Sequence, residues 1–395
     1  MMYYFKRRNL SFILAVLIVF FILCLPNSIK TAFAFDFFGI SLVILSIIFI
    51  PLFLWSIHSV RLNKLNLFCS AFVVFTLFTS IVAENYILSR FFIGIQFIYP
   101  FIFLSTIKLD DDKIAILRDF SMITFFFISF QVILASLGIM KFNSVNNTLI
   151  GEYERVATTA GAATFTAPVL LVLYAILNLI VKSFKIRVAL LLLLFVSVFL
   201  TGTRSALIIL VIASLLTALI VFSFKYQMLI TFTLLVLFPV LNQRFKIMET
   251  IEKRNQNAMD YSKGDITSGR EERWMVVFDK IKSNPEILLT GIGGGNTPYF
   301  NRFKDTEINI VASPHNAYLS FLFEHGIVGL LMFLLILYQL VRSLWPFYNI
   351  SMFIFLFIIV VNFNTELIIR GASFSALFFM LYFVLKYKRN ELKKM

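Results

Sequence analysis

Apolar runs of bilayer length dominate this sequence. About twelve segments approach the roughly 20 mostly apolar residues that a spanning helix needs: 9–25, 37–57, 65–83, 86–107, 116–139, 156–181, 186–201, 205–224, 227–242, 316–341, 346–363 and 367–386. A soluble domain is roughly 45–50% apolar and about 25% charged, whereas this chain of 395 residues is 60% hydrophobic and 14% charged. So much apolar surface cannot be hidden in one or two aqueous cores. A soluble enzyme, a disordered tail and a disulfide scaffold are thereby excluded. The expected fold is an all-α integral membrane protein with about twelve transmembrane helices. Residues 1–242 hold helices one to nine, 243–315 a large extracytoplasmic loop containing short helices, and 316–395 the last three helices and a basic tail, all in one integrated membrane domain. Gly202 and Arg204, set between two apolar runs, predict a tight hairpin there. The 49 phenylalanines suit lipid-facing and interhelical surfaces. Cys24 and Cys69 sit inside apolar runs and match neither a disulfide nor a metal pattern.

The formal net charge of +14 would suit nucleic acid in a soluble chain. In a membrane protein, Lys and Arg collect in cytoplasmic loops, so no nucleic-acid partner follows. Lys6, Arg7 and Arg8 place the amino terminus in the cytoplasm. Alternation then puts Arg61, Lys64, Lys108, Lys113, Lys182, Lys185, Arg187, Lys225, Arg342 and the tail lysines on that same side, with both termini inside. Ala32-Phe33-Ala34 imitates a signal cleavage site, but the preceding run is long enough to span. Asp110, Asp111 and Asp112, flanked by lysines, read as a solvated cytoplasmic loop. The sequence has no His-x-x-x-His and no Asp-x-Asp on the outer side. Neither a metal nor a cofactor is expected.

The outer loop is too long for a plain connector. Ser268 and Glu271 have capping-box spacing, and Trp274, Val277, Phe278 and Ile281 follow at helical spacing. Asn284-Pro285 should end that amphipathic helix, which is suited to the membrane interface or to covering a cavity. Gly291, Gly293, Gly294 and Gly295 then read as a flexible turn. This turn lacks the Gly-Lys-Ser/Thr ending of a nucleotide-binding loop.

A set of arginines departs from the positive-inside pattern. Arg90 and Arg370 lie about one turn inside the outer ends of their spans, Arg155 precedes span six, Arg204 occupies the hairpin, and Arg270 and Arg273 begin the loop helix. An arginine in hydrocarbon is costly and marks a functional site by default. Its guanidinium fork fits phosphate bidentately and stays charged. Several at one face would bind a phosphorylated, membrane-anchored anion; the competing reading is snorkelling, or pairing with Glu84, Glu152 or Glu366. His315 follows Pro314 at the mouth of span ten. A helix start disfavours imidazolium, leaving a neutral general base; the competing role is structural. Glu324, two to three turns further along, is expected to be buried as a structural partner.

These residues resemble a known pattern. Thr201-Gly202-Thr203-Arg204-Ser205-Ala206, the loop stretch Ser268-Gly269-Arg270 with Trp274, Asn284-Pro285 and Gly291-Ile292-Gly293, and Pro314-His315-Asn316-Ala317-Tyr318-Leu319 with Glu324-His325-Gly326-Ile327-Val328-Gly329 are together similar to the O-antigen ligase and polymerase superfamily. The resemblance implies a helical fold of the membrane glycosyltransferase (GT-C-like) type in the bacterial inner membrane. Its active site would face the periplasm, and it would use neither metal nor nucleotide. The implied donor is a glycan on undecaprenyl diphosphate. The implied acceptor is another lipid-linked repeat unit for a polymerase, or lipid A-core for a ligase, with the polymerase favoured. A chain-length regulator and a flippase are implied partners. Carried onto this chain, His315, Arg204 and Arg270 are the catalytic candidates, Arg90, Arg155, Arg273 and Arg370 the diphosphate-binding ones, and Asn316 and Glu324 supporting groups. A flippase for lipid-linked sugars is the non-enzymatic rival. Transporters commonly show internal repeats and midplane polar sites, whereas here the polar exceptions gather at one face.

Overall fold

A computed structural model describes residues 10–24, 109–140, 158–160, 163–221, 270–293, 316–345, 349–361 and 372–393, together with nine positions between 68 and 79. Its elements are α1 (Leu10–Cys24), α2 (Asp111–Ser136), α3 (Ala163–Ile180), α4 (Phe184–Thr201), α5 (Arg204–Val221), α6 (Arg270–Ser283), α7 (Ile287–Thr290), α8 (Ala317–Leu344), α9 (Ile350–Val361) and α10 (Ala372–Leu392). The described residues include no strand. Three of the helices, α2, α4 and α8, are long and apolar enough to cross a membrane. The spans expected over 37–57, 86–107 and 227–242 lie outside the described residues.

The central element is α3. Ala167 through Leu177 are buried on every side, as expected of a helix apolar all round, and α2, α4, α9 and α10 pack around it. The neighbours turn apolar side chains outward as well: Ile123 and Phe130 of α2, Leu192 of α4, Ile208 of α5, and Val328, Leu331 and Leu335 of α8 are exposed. An apolar belt of this extent is a liability in water. It is what a bilayer requires of a helix surface.

Local chemistry explains where the helices begin and turn. Asp110 caps α2 by accepting from Lys113 N at 3.0 Å, and Lys113 Nζ reaches its other oxygen at 2.7 Å. The acidic run is therefore a helix start rather than a solvated loop, with Asp111 and Asp112 in the first turn facing the positive end of the helix dipole. Between α4 and α5, Gly202 takes the left-handed conformation (φ 64°) that closes a helix end. Helix α3 begins at 163 instead of 156, because Thr158–Ala160 form a buried turn. That turn is tied to α2: Gln131 Oε1 accepts from Thr159 N at 3.1 Å and from Thr159 Oγ1 at 2.9 Å. Gln131→Leu removes the acceptor of both bonds inside the bundle and is expected to cost roughly 1–3 kcal/mol, read as a lower denaturation midpoint of the purified protein. An unchanged midpoint would show that this tie contributes nothing.

Hydrogen bonds between helices identify the two ends of the bundle. At one end, Tyr387 donates to Asp111 at the start of α2 (2.7 Å), and Arg389 donates to the carbonyls of Ser343 and Trp345 at the end of α8. Ser351, at the start of α9, donates to Ala175 O near the end of α3 (2.8 Å) and accepts from Asn178 (3.1 Å). At the other end, Tyr318 of α8 donates to Ile359 O of α9 at 2.8 Å. The start of α8 therefore lies beside the end of α9, which in turn lies beside the start of α3. Because α3 and α4 are antiparallel neighbours joined by a short link, the α4–α5 turn belongs to this second end too.

Candidate functional site

Helix α8 carries the histidine motif at its start. Asn316 is its N-cap: the side-chain carbonyl accepts from Leu319 N at 3.1 Å, satisfying one of the amides a helix start leaves free. Asn316 is itself buried. The helix then breaks at Gly326, whose φ of 66° and ψ of −172° are not helical. The carbonyls of Phe323 and Glu324 accept instead from Ile292 N (3.0 Å) and Gly293 N (2.9 Å). The glycine turn of the long loop thus completes the hydrogen bonding of the helix it precedes. Gly291 and Gly293 are therefore held against α8 instead of forming a flexible turn, while Gly294 and Gly295 lie outside the described residues. A Cβ at Gly291 would stand 2.3 Å from Glu324 O, and one at Gly326 would stand 2.3 Å from Leu289 O. Only backbones without side chains can approach so closely.

Helix α6 holds this turn in place. Its Val277 is fully buried against Leu319 and Phe323 of α8 and Ile292 of the turn, with Trp274 and Ile281 alongside. The amphipathic face is therefore Trp274–Val277–Ile281; Phe278, expected to share it, is 51% exposed. The helix closes at Ser283, where Asn284-Pro285 follow. On the other side of the kink, His325 is buried between Phe72 and Phe321, with Nδ1 3.1 Å from Thr79 Oγ1. Gly329 makes room for it, since a Cβ there would meet His325 Cβ at 2.2 Å. Glu324 is buried. No local signal in the sequence pointed to Thr79 or Phe72. Their partners lie more than 240 residues away.

Of the residues singled out from sequence, Asn316 and Glu324 lie in this α8 segment. Arg204 begins α5 at the end of the bundle where α8 begins, and Arg270 and Arg273 lie in the first turn of α6; for these three the backbone position is what the structure describes. His315, directly before Asn316, lies outside the described residues, as do Arg90, Arg155, Arg370 and Ser268. The hairpin, the loop helix with its glycine turn, and the kinked helix are thus parts of one end of one bundle, drawn from a single stretch of chain. Residues 189–334 match a family model described as O-antigen ligase. No curated protein matches the chain. The matched segment runs from α4 through the hairpin and the loop into the second half of α8. It supports the O-antigen ligase and polymerase superfamily, and with it a glycosyltransferase-like membrane enzyme.

Proposed function

We propose that this protein transfers a glycan from undecaprenyl diphosphate to a sugar hydroxyl at the periplasmic face of the bacterial inner membrane, acting as an O-antigen or surface-polysaccharide polymerase. The observation that carries this reading is the matched segment itself, 189–334, which contains the Arg204 hairpin, the docked loop helix and the kinked helix. His315 takes the proton of the acceptor hydroxyl as its oxygen bonds to the anomeric carbon of the donor. The bond between that carbon and the diphosphate oxygen breaks, and the diphosphate leaves with the electron pair. Arg204 and Arg270, joined by Arg90, Arg155, Arg273 and Arg370, hold the negative charge in preorganised positions. The acceptor is a second undecaprenyl-linked repeat unit. The description of the matched family favours a second reading, ligation of the same glycan to lipid A-core.

Deleting the gene and examining the envelope glycans tests both. Core carrying a single repeat unit is expected for the polymerase. Bare core with lipid-linked polymer accumulating would replace it with the ligase, and an unchanged glycan ladder would overturn both.

A further inference from the structure

The short helix α7 and the turn after it have a property that the transfer reaction does not require. Every amide from Ile287 to Gly293 donates within the protein. Those of Ile287, Leu288 and Leu289 go to the carbonyls of Asn284, Pro285 and Glu286, and that of Thr290 also goes to Glu286. Gly291 donates to Ile287 O, and Ile292 and Gly293 to Phe323 and Glu324 of α8. The Thr290 hydroxyl likewise turns back to Glu286 O at 3.1 Å. A surface turn in water has no need of so complete a set, whereas backbone at hydrocarbon depth does. Yet two of its side chains face outward: Leu288 is 40% and Leu289 64% exposed.

The position of α8 places the turn at that depth. Arg342 lies in the last turn of α8. Counting back from Val341 by the roughly 20 residues that cross the hydrocarbon reaches Leu322. Gly326 therefore sits about one turn inside the apolar layer, and the Leu289 carbonyl lies directly against it. From Gly326 the exposed apolar surface continues along α8 through Val328, Leu331 and Leu335. The surface of Leu288 and Leu289 is thus an extension of the lipid-facing side of a spanning helix.

We propose that residues 287–293 form a re-entrant turn of the bilayer, with Leu288 and Leu289 among lipid acyl chains in the leaflet where α8 begins. The test uses the full chain with Cys24→Ala and Cys69→Ala, reconstituted in vesicles of phosphatidylethanolamine and phosphatidylglycerol. Nitroxides are attached singly at Leu289→Cys or Leu288→Cys, at Leu331→Cys on α8, and at Asp279→Cys on the exposed side of α6. Collisions with molecular oxygen, which concentrates in lipid, are compared with collisions with a water-soluble nickel chelate. Oxygen is expected to prevail at 288, 289 and 331, and nickel at 279. Nickel prevailing at both 288 and 289 would overturn the proposal in favour of an aqueous turn. Low accessibility to both reagents would overturn it in favour of a protein partner. Nickel prevailing at 331 would remove the spanning register on which the depth rests. None of these readings depends on glycan transfer, so the result stands apart from the fate of the proposed activity.

Discussion

His315→Ala and Arg204→Ala should each leave the protein in the membrane at wild-type level while eliminating polymer. In the proposed mechanism the two variants remove different halves of one step. Without the imidazole, no group takes the acceptor proton, a role usually worth about 10²–10⁴-fold in rate. Loss of one preorganised contact to the departing diphosphate raises the barrier by on the order of 3 kcal/mol, enough to empty a glycan ladder that is built by many successive transfers. Neither change should disturb the packing of α8. The cap at its start is made by Asn316, and the hairpin before α5 is closed by Gly202. Immunoblots of membranes together with glycan gels check both halves of the expectation. A wild-type ladder from either variant would contradict the proposed chemistry, and loss of the protein itself would assign that residue to folding.

Gly326→Ala is expected to act in the opposite way, through stability. At φ 66° any side chain is strained, and here the added methyl would stand 2.3 Å from Leu289 O and 2.6 Å from the carbon bearing it. Both are backbone atoms, so no rotamer change relieves the clash. Strain of about 1–3 kcal/mol and overpacking of about 1–3 kcal/mol should together lower the denaturation midpoint and release the loop to protease near residues 287–293. Gly138→Ala provides the comparison. Gly138 has φ 73° but nothing within 4 Å of the added carbon, so it carries the strain without the clash. If the two variants are equally stable, the docking of the turn on α8 does not hold the site together.

Much of the helical architecture is legible in the sequence because a bilayer imposes long, simple patterns. The runs around α1, α4, α5, α8 and α9 need no tertiary information, and the α4–α5 hairpin is announced by a glycine and a charge between two apolar stretches. The loop helix is legible for the same reason, down to its termination at Asn284-Pro285. What local pattern misses depends on a distant partner. Phe278 is apolar and correctly spaced, yet it falls at the edge of the face that Val277 occupies. Gly291 and Gly293 look like a loose connector until the carbonyls of Phe323 and Glu324 are found waiting for the amides of Ile292 and Gly293. His325 gives no hint of Thr79, because a contact across the bundle leaves no periodicity. Asp110 is ambiguous for a different reason: an acidic run flanked by lysines resembles a solvated loop, and the same carboxylates also make a good helix start. As for the candidate site, the residue types suggest phosphate chemistry, while the gathering of the hairpin and the start of α8 at one end follows from Tyr318, Ser351 and the α3–α4 connection.

The broken helix also bears on how the chain is made. Synthesis runs from the amino terminus, so the amides of Ile292 and Gly293 exist before the carbonyls of Phe323 and Glu324 emerge. The segment that caps the two released acceptors is therefore made before the helix that needs it. The chain therefore carries part of its assembly schedule in the mere sequence of loop before helix.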